Sequence, residues 1–217
     1  MRDGRDERDE TFVVPDSLAM TPLPLDTVIE TERLRLRLPD ERDLPHIFSA
    51  TREPGFNDGM LWNPPATIDE LHDPLARARA AWAQAQSYQF SIDTRAGEFV
   101  GRISLRPSND DLVPEDLGGD PAAGWRVLDI GYWTHPAHQG RGLMTEALRA
   151  VVDLAFGTME ADALVAFHTM WNVGSQRVLE KAGFRRIRVF PGGFVKNGVP
   201  EDDALVRLDR AEWTRRS

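Results

Sequence analysis

Cysteine is absent from this chain of 217 residues. Without it the protein has no disulfide bonds, no thiolate metal sites and no catalytic route through an acyl-cysteine intermediate. Long apolar runs are absent too, and we expect no membrane partner because no segment could cross a bilayer. The amino terminus, MRDGRDERDE, carries charges of both signs and lacks the apolar segment of a signal peptide. We therefore expect the protein to be cytoplasmic.

Positive charge is the minority charge in the composition. The 26 Lys and Arg residues are outnumbered by 35 Asp and Glu residues, which leaves a formal net charge of −9 at pH 7. A negative surface repels nucleic acid and attracts cations. We therefore expect no nucleic-acid partner, and the charge favours cationic partners.

The chain divides into an extension and one domain. Residues 1–27 hold a mixed charge run followed by PDSLAMTPLPLD, which is rich in proline and has no hydrophobic period. This composition predicts a mobile or surface-wrapping N-terminal extension. The remaining residues, 28–217, suffice for a single domain with a substantial core.

Hydrophobic periodicity predicts about seven strands and about four helices, in the order β-α-α-β-β-β-α-β-α-β-β. The first strand is RLRLRL at 33–38, where leucines alternate with arginines. Thr67 and Glu70 form a predicted capping box, which opens a helix that ends near Gln86. The segments YQFSID and EFVGRISLRP flank the turn TRAG and predict a hairpin.

The second half of the chain predicts two amphipathic helices among four strands. The helices span 141–156 and the residues from Asn172 to a left-handed C-cap at Gly183. The strands are WRVLDIGYWT, ALVAFHT, FRRIRVF and DDALVRLD, the last two separated by the turn PGGFVKNG. This order predicts an α/β (α+β) fold in which a run of neighbouring strands, rather than repeated βαβ units, forms the middle of the sheet.

The stretch HPAHQGRGLM, residues 135–144, follows a predicted strand and precedes a predicted helix. Gly140 and Gly142 let a bulky anion approach the main chain, and the dipole of the helix adds attraction. Arg141 can pair with a phosphate, and Pro136 ends the strand. The stretch therefore predicts a pyrophosphate-binding loop. The alternative is a plain strand-to-helix turn in which two glycines allow tight packing.

The same loop resembles the coenzyme A signature of the GNAT acetyltransferase superfamily, (Q/R)-x-x-G-x-(G/A), through Gln139, Gly140, Arg141, Gly142, Leu143 and Met144. Met144 stands where that signature has a small residue. The segments TERLRLRLPDERDL, DIGYWTHPAHQGRGLMTEAL and NVGSQRVLEKAGF are together similar to ribosomal-protein N-acetyltransferases of the RimJ/RimL type. They follow that family's order and spacing, so the resemblance covers about residues 30–210.

The resemblance implies a GNAT fold, in which a mixed central sheet splits between its fourth and fifth strands. Acetyl-CoA is the implied cosubstrate, and no metal is implied. The pantetheine arm would hydrogen-bond the exposed edge of Tyr132, Trp133 and Thr134, and the phosphates would bind the amides of 139–144. A split strand is a suitable receptor because its unpaired main-chain groups match the amides of pantetheine.

Two residues near the start of the next helix fill the family's N-x-x-S positions. The resemblance implies that Asn172 holds the pantetheine arm and that Ser175 lies near the sulfur as a general acid. The alternative is structural: Asn172 caps its helix, and Ser175 is a polar residue of the first turn.

Asp129 takes a position where this subfamily often has a glutamate, two residues before the strand glycine. It is a candidate base that acts through water, and the backbone amide near Thr134 is the candidate oxyanion donor. The alternative for Asp129 is an ion pair with an arginine of a neighbouring strand. His135 and His138 lie three residues apart, but no third ligand is near them in the sequence, and we expect no metal site.

The segment GMLWNPP, at 59–65, lies where the family shapes its acceptor pocket. Trp62 and Asn63 are the candidate lining residues, and a surface turn stapled by one tryptophan is the alternative. A second loop, 108–124, contains acids and no base. It is either a solvated connection or a surface that attracts cations beside the acceptor site. Its acids are Asp110, Asp111, Glu115, Asp116 and Asp120.

The resemblance implies an enzyme, an acyltransferase whose acetyl-CoA-dependent N-acetyltransferase domain spans 28–217. It would transfer acetyl to a primary amine by direct attack in a ternary complex, which agrees with the absence of cysteine. The acceptor is either a protein or peptide N-terminus or a small aminated metabolite. The alternatives are a non-catalytic acyl-CoA-binding module and a plain nucleotide-phosphate binder. We expect a monomer or a homodimer.

Overall fold

The computed structural model describes residues 20–108 and 112–214, and an eight-stranded mixed sheet runs through them. The strands are β1 (Val28–Glu30), β2 (Leu34–Arg37), β3 (Tyr88–Thr94), β4 (Phe99–Pro107), β5 (Val127–Thr134), β6 (Ala163–Thr169), β7 (Arg185–Lys196) and β8 (Val199–Asp209). The helices are α1 (Leu44–Ala50), α2 (His72–Ala83), α3 (Pro114–Leu117), α4 (Leu143–Gly157), α5 (Val173–Ala182) and α6 (Arg210–Trp213). No helix in this part of the chain has the length and apolar character to cross a membrane.

The strands lie in the order β1-β2-β3-β4-β5-β6-β8-β7, and the predicted α/β fold is confirmed. The sequence does not predict β1, which makes the sheet one strand wider than expected. This strand pairs antiparallel with β2 at the sheet edge, from Val28 opposite Arg37 to Glu30 opposite Arg35. Its three residues are too few to show a hydrophobic alternation, so only the tertiary pairing reveals it.

A split opens the sheet between β5 and β6, as expected. These strands are parallel, and their pairing covers only Val127–Asp129 opposite Ala163–Val165. Beyond that point β5 pairs with β4 on its other side, as far as Thr134. The second half of β5 therefore has one edge without a strand partner among the described residues.

Each face of the sheet has its own apolar contacts, because successive strand residues point to opposite faces. On one face, Leu128 and Ile130 of β5 pack with the buried side of α4. On the other, Val127 packs with Leu117 of α3 in a smaller cluster, and a third cluster under α1 contains Phe99. The strand that borders the split is therefore fixed by apolar contacts on both faces.

Part of the predicted N-terminal extension packs against the domain. Met20 is buried in the main core, and the Tyr88 hydroxyl donates to the carbonyl of Thr21 at 2.8 Å. Residues 1–19 lie outside the described residues. The mobility of the extension and the domain boundary at residue 28 therefore stay predictions.

The predicted capping box between Thr67 and Glu70 does not form; Glu70 bonds to the preceding loop instead. Thr67 makes no side-chain hydrogen bond to the helix, and the Glu70 carboxylate accepts instead from a backbone N–H of the preceding loop at 3.0 Å. A tight turn precedes α2, which ends at Ala83 rather than near Gln86. Pro74 explains the later start, because a residue without an N–H fits best in the first turn of a helix.

The turn between the last two strands lies within the predicted segment PGGFVKNG but is shorter, because β7 extends through most of that segment. β7 and β8 form a long hairpin whose turn narrows to Asn197 and Gly198, with φ of 51° and 78°. Such residues are favoured in two-residue hairpin turns. An irregular pairing between Phe190 and Phe194 absorbs the glycines that resemble a turn in the sequence.

The predicted acidic loop between β4 and β5 is anchored by arginines. It contains α3, where the buried Asp116 forms an ion pair with Arg188 of β7 at 3.0 Å. Arg207 of β8 donates to two carbonyls of α3 at 3.1 and 2.9 Å. Bases distant in the sequence therefore compensate a loop that has none of its own. Asp110 and Asp111 lie outside the described residues.

An ion network is buried where α1 begins, against the first strands. The Asp43 carboxylate, 1% exposed, accepts from Arg37 at 2.7 Å and from the Ser91 hydroxyl. Arg37 also bonds to Asp93 at 2.6 Å. Arg102 lies 3.8 Å from Asp43, and burial lowers the pKa of its guanidinium. Asp43 is thus the charge that two largely buried arginines share.

We predict that Asp43→Asn lowers the free energy of unfolding by about 3 kcal/mol, because breaking a buried ion pair from one side leaves uncompensated charge. The measurement is urea unfolding followed by tryptophan fluorescence. Asp26→Asn, at an exposed position, is the matched control and should unfold like the wild type. Equal midpoints for Asp43→Asn and the wild type would show that the network contributes nothing.

Candidate functional site

The segment between β5 and α4, residues 135–142, forms a two-glycine loop. Gly140 and Gly142 adopt left-handed backbone conformations, with φ of 71° and 74°, and Gly142 is the N-cap of α4. A residue with a Cβ is strained in that conformation. Because the first amides of a helix have no partner within it, the N–H groups that follow Gly142 are available to an anion.

Side chains of the two-glycine loop are held by hydrogen bonds. Nδ1 of His135 accepts from the Ala137 N–H at 3.2 Å, and its Nε2 lies 3.1 Å from the Ser49 hydroxyl. Burial lowers the pKa of His135, which favours the neutral ring that can accept at Nδ1. The Arg141 guanidinium lies 3.0 Å from Nδ1 of His138. Both histidine side chains are therefore engaged in holding the loop.

The open edge of β5 leads directly into the loop. The His135 N–H donates to the carbonyl of Val100, in β4, at 2.8 Å. Alternate residues of an antiparallel strand turn their N–H and C=O groups to opposite sides. The main-chain groups of Tyr132 and Thr134 therefore face the split, and those of Trp133 face β4. Trp133 is expected to offer main-chain groups to the pantetheine arm, but these groups face β4. Its side chain packs against Phe56 instead.

A hydrogen-bonded pair crosses the split. The Tyr132 hydroxyl lies 3.0 Å from Oγ of Ser175 and donates to the Ser175 carbonyl at 3.1 Å. Burial raises the pKa of Tyr132, so its hydroxyl keeps its proton at neutral pH. Ser175, in the first turn of α5, is therefore held toward β5.

Asn172 is the N-cap of α5. Its Oδ1 accepts from the Ser175 N–H at 3.0 Å, as the structural alternative predicts. Its Nδ2 lies 3.6 Å from the position that a Cβ on Gly59 would take. Asn172 therefore fixes Ser175 and lies beside Gly59 in the loop between α1 and α2.

Asp129 lies at the point where the split begins. It is buried, and Arg106 of β4 donates to its Oδ2 through Nη2 at 2.9 Å and through Nε at 3.3 Å. This is the ion pair that the structural alternative predicts. The role of Asp129 as a base stays a prediction, with one of its two oxygens already engaged.

The loop between α1 and α2 contacts two other segments through its aromatic residues. Phe56 packs edge-on against Trp133 and Trp62, with ring centroids 5.3 and 6.4 Å apart. Nζ of Lys196, on the β7–β8 hairpin, donates to the Trp62 carbonyl at 2.8 Å and lies 3.4 Å from Oδ1 of Asn63. Trp62 and Asn63 are therefore held between β5 and the hairpin.

Most of the chain matches one protein family. Residues 33–185 match the model of the acetyltransferase (GNAT) domain. The chain belongs to the GNAT acetyltransferase family. It is 43% identical over 186 residues to the "Probable N-acetyltransferase YjcK" of Bacillus subtilis (strain 168), a match that covers 85% of this chain and 91% of that protein. The protein is thus an acetyltransferase by family.

Solved GNAT structures share the fold. RimL, a ribosomal L7/L12 alpha-N-protein acetyltransferase solved with coenzyme A, has a TM-score of 0.70 at 18% identity, with 84% of this chain and 98% of that chain covered. Spermidine N-acetyltransferase from Vibrio cholerae, solved with coenzyme A and spermine, has a TM-score of 0.68 at 16% identity, with 85% and 99% covered. At these identities the likeness shows the fold alone.

The GNAT fold brings most of the predicted coenzyme residues to one surface. This surface joins the open edge of β5, the two-glycine loop and the starts of α4 and α5; its members are Tyr132, Thr134, Gln139, Gly140, Arg141, Gly142, Leu143, Met144, Asn172 and Ser175. Leu143 and Met144 bury their side chains in the core. Met144 stands where the signature has a small residue, but its side chain points into the core and does not crowd the loop.

The sequence names neither Arg33 nor Lys196 as a residue of the candidate site, and it predicts the partner of Asp129 only as an arginine of a neighbouring strand. Arg33 donates to the Arg141 carbonyl at 3.1 Å, and Lys196 and Arg106 make the contacts described above. Their partners lie 108, 134 and 23 residues away along the chain. No local pattern marks such pairs, and only the TERL segment of the family resemblance points to Arg33.

We predict that Asn172→Ala destabilises the protein by about 1 kcal/mol, because the first turn of α5 loses its cap. Asn172→Ser is the matched variant: it also removes the amide group but keeps an oxygen that can cap. Thermal unfolding followed by circular dichroism should place Asn172→Ser close to the wild type and Asn172→Ala below it. Equal losses in both variants would mean that capping is not what Asn172 contributes.

Proposed function

We propose that the protein transfers the acetyl group of acetyl-CoA to a primary amine by direct attack in a ternary complex. One observation carries the proposal: the open edge of β5 runs directly into a two-glycine loop at the start of a helix. These groups match an amide-containing arm followed by a diphosphate, the order in which they occur in coenzyme A.

The coenzyme would bind largely to main-chain groups. The amides of 139–144 would hold the pyrophosphate. The carbonyls of Tyr132 and Thr134, with the Tyr132 N–H, would hold the pantetheine arm. Among the described residues, apart from Gly140 and its two chain neighbours, no heavy atom lies within 4 Å of the position that a Cβ on Gly140 would take, so the space directly over this glycine is open. Arg141 adds a positive charge at the same place.

The reaction needs a polarised carbonyl and a stabilised leaving group. The amine nitrogen attacks the thioester carbonyl carbon; a C–N bond forms, the C–S bond breaks, and the sulfur leaves as the thiolate of coenzyme A. The Thr134 N–H would bind the carbonyl oxygen as negative charge develops there. The Ser175 hydroxyl would then give a proton to the sulfur and regain one, through solvent, from the nitrogen, which loses a proton as the amide forms. Tyr132 positions that hydroxyl.

The attacking amine must first lose a proton. An α-amine has an ordinary pKa of roughly 8, so it is neutral at pH 7 far more often than a lysine amine, whose pKa is about 10.4. Asp129 would accept the proton through water. Its ion pair with Arg106 favours the second candidate function, a non-catalytic acyl-CoA-binding module, because the carboxylate is already engaged.

The acceptor is a protein or peptide N-terminus or a small aminated metabolite. The solved neighbours include both classes, since RimL is a protein alpha-N-acetyltransferase and the Vibrio cholerae enzyme was solved with spermine. Trp62 and Asn63 would line the acceptor side, which the Lys196 contact holds in place. The net charge of −9 favours an acceptor that arrives as a cation.

The test of the proposed function is an acetylation screen read by mass spectrometry. Acetyl-CoA is held constant against peptides with free N-termini, polyamines and other small amines, and we expect at least one acetylated product. Gly142→Glu is the negative control, because its side chain adds strain and negative charge to the loop. Tight coenzyme binding without any product would support the binding module instead, and absence of both would overturn the proposal.

We predict that Ser175→Ala and Asp129→Asn each lower kcat by about 10²-fold, the usual contribution of a general acid or base. The dissociation constant for acetyl-CoA, from calorimetry, should stay nearly unchanged. Ser87→Ala makes the same substitution just before β3 and should retain full activity. Wild-type kcat in both site variants across the pH range would leave each residue with its structural role only.

A further inference from the structure

The turn between β1 and β2 packs against the start of α4. Oε1 of Glu146, in the first turn of α4, accepts from the Thr31 hydroxyl at 2.6 Å and from the Arg33 N–H at 2.8 Å. Its Oε2 accepts from Nε of Arg33 at 2.6 Å. Three hydrogen bonds therefore fix the position of Arg33 relative to α4.

The Arg33 guanidinium extends from this anchor onto the two-glycine loop. Its Nη1 donates to the Arg141 carbonyl at 3.1 Å. Its Nη2 lies 3.7 Å from the position that a Cβ on Gly142 would take. No hydrogen bond of Nη2 is found within residues 20–108 and 112–214, and the side chain is 47% exposed. Nη2 is thus an available donor on the surface of the loop.

The negative charge of Glu146 gives the Arg33 guanidinium a second role near the loop, which is to offset that charge. Burial favours the neutral carboxyl, but hydrogen bonds from Thr31 and Arg33 prevail and lower the pKa of Glu146. A charged carboxylate therefore lies in the helix turn whose N-terminus would face a diphosphate, and it would repel that diphosphate. Arg33 offsets this charge and turns Nη2 toward the loop.

We propose that Arg33 is a coenzyme-binding residue that donates from Nη2 to a phosphate of acetyl-CoA, with Glu146 as its anchor. The proposal rests on the coenzyme site proposed above. Arginine suits this task because its planar guanidinium can hold an anchoring carboxylate with one part and a phosphate with another. The phosphate belongs either to the pyrophosphate, which would lie on the loop, or to the 3′-phosphate of the adenosine.

The first experiment is calorimetric titration of Arg33→Met with acetyl-CoA, which needs no acceptor. We expect the dissociation constant to rise about tenfold, the usual effect of losing a hydrogen bond to a charged group. Arg35→Met is the matched control, since Arg35 is exposed on β2 and lies opposite Glu30 and Asp93 in the strand register. It should bind like the wild type. A folded Arg33→Met variant with wild-type affinity would overturn the proposal.

Salt dependence separates phosphate binding from mere support of the loop. Affinity of the wild type should fall with ionic strength more steeply than that of Arg33→Met, because one charge contact is missing in the variant. Arg33→Lys keeps the charge without the planar fork and should bind with intermediate affinity; it also carries the test if Arg33→Met does not fold. Equal salt slopes for the wild type and a folded Arg33→Met variant would overturn the proposal, and so would wild-type affinity in Arg33→Lys.

Two further comparisons identify the phosphate that Arg33 contacts and distinguish failure of this proposal from failure of the proposed function. If acetyl-CoA and its 3′-dephospho form lose affinity equally in Arg33→Met, the contact is to the pyrophosphate; if only acetyl-CoA loses affinity, it is to the 3′-phosphate. Coenzyme binding that depends on Arg33 without transfer to any amine would refute the proposed enzyme and keep this assignment. Acetyl transfer by an Arg33→Met variant with wild-type coenzyme affinity would refute the assignment of Arg33 and keep the proposed enzyme.

Discussion

The parting of β5 from β6 is the constraint on which the rest of the site depends. The two parallel strands pair over three residues and then diverge, which leaves main-chain groups of β5 without a partner strand. Unpaired main-chain groups are costly in a protein interior. Apolar packing on both faces of β5 sustains this arrangement, with Ile130 against the α4 cluster and Val127 against the α3 cluster. The same divergence creates the space that Tyr132 and Ser175 span.

Charge is compensated locally in a chain that is acidic overall. Two carboxylates near the site have arginine partners: Glu146 pairs with Arg33, and Asp129 pairs with Arg106. Because the charges of Glu146 and Asp129 are balanced by arginines, the electrostatic potential at the loop is set by Arg141 and the first amides of α4, and it is positive. The net charge of −9 therefore bears on what approaches the whole surface and says little about the loop itself.

The proposed acceptor side is assembled separately from the proposed coenzyme surface. It draws on the loop between α1 and α2, on a side chain of β5 and on the β7–β8 hairpin, which meet through Phe56, Trp62, Trp133 and Lys196. The coenzyme surface is built mainly from backbone that follows the strand order. If the proposal holds, changes in the first group alter the acceptor while the second stays intact. Structural neighbours named for a ribosomal protein and for spermidine share one fold.

The sequence by itself determined the features whose causes are local. These are the alternation of the β3–β4 hairpin, the glycine spacing before α4 and the caps of α5 at Asn172 and Gly183, because each depends on residues within a few positions. Other features depend on the tertiary structure. These are the pairing of the short edge strand β1, the arginine contacts that anchor the acidic loop, the ion pair of Asp129 with Arg106 and the position of Arg33. Arg33 and Glu146 are 113 residues apart, and hydrogen bonds across such distances impose no period on the sequence. Only the folded chain brings these groups within bonding distance.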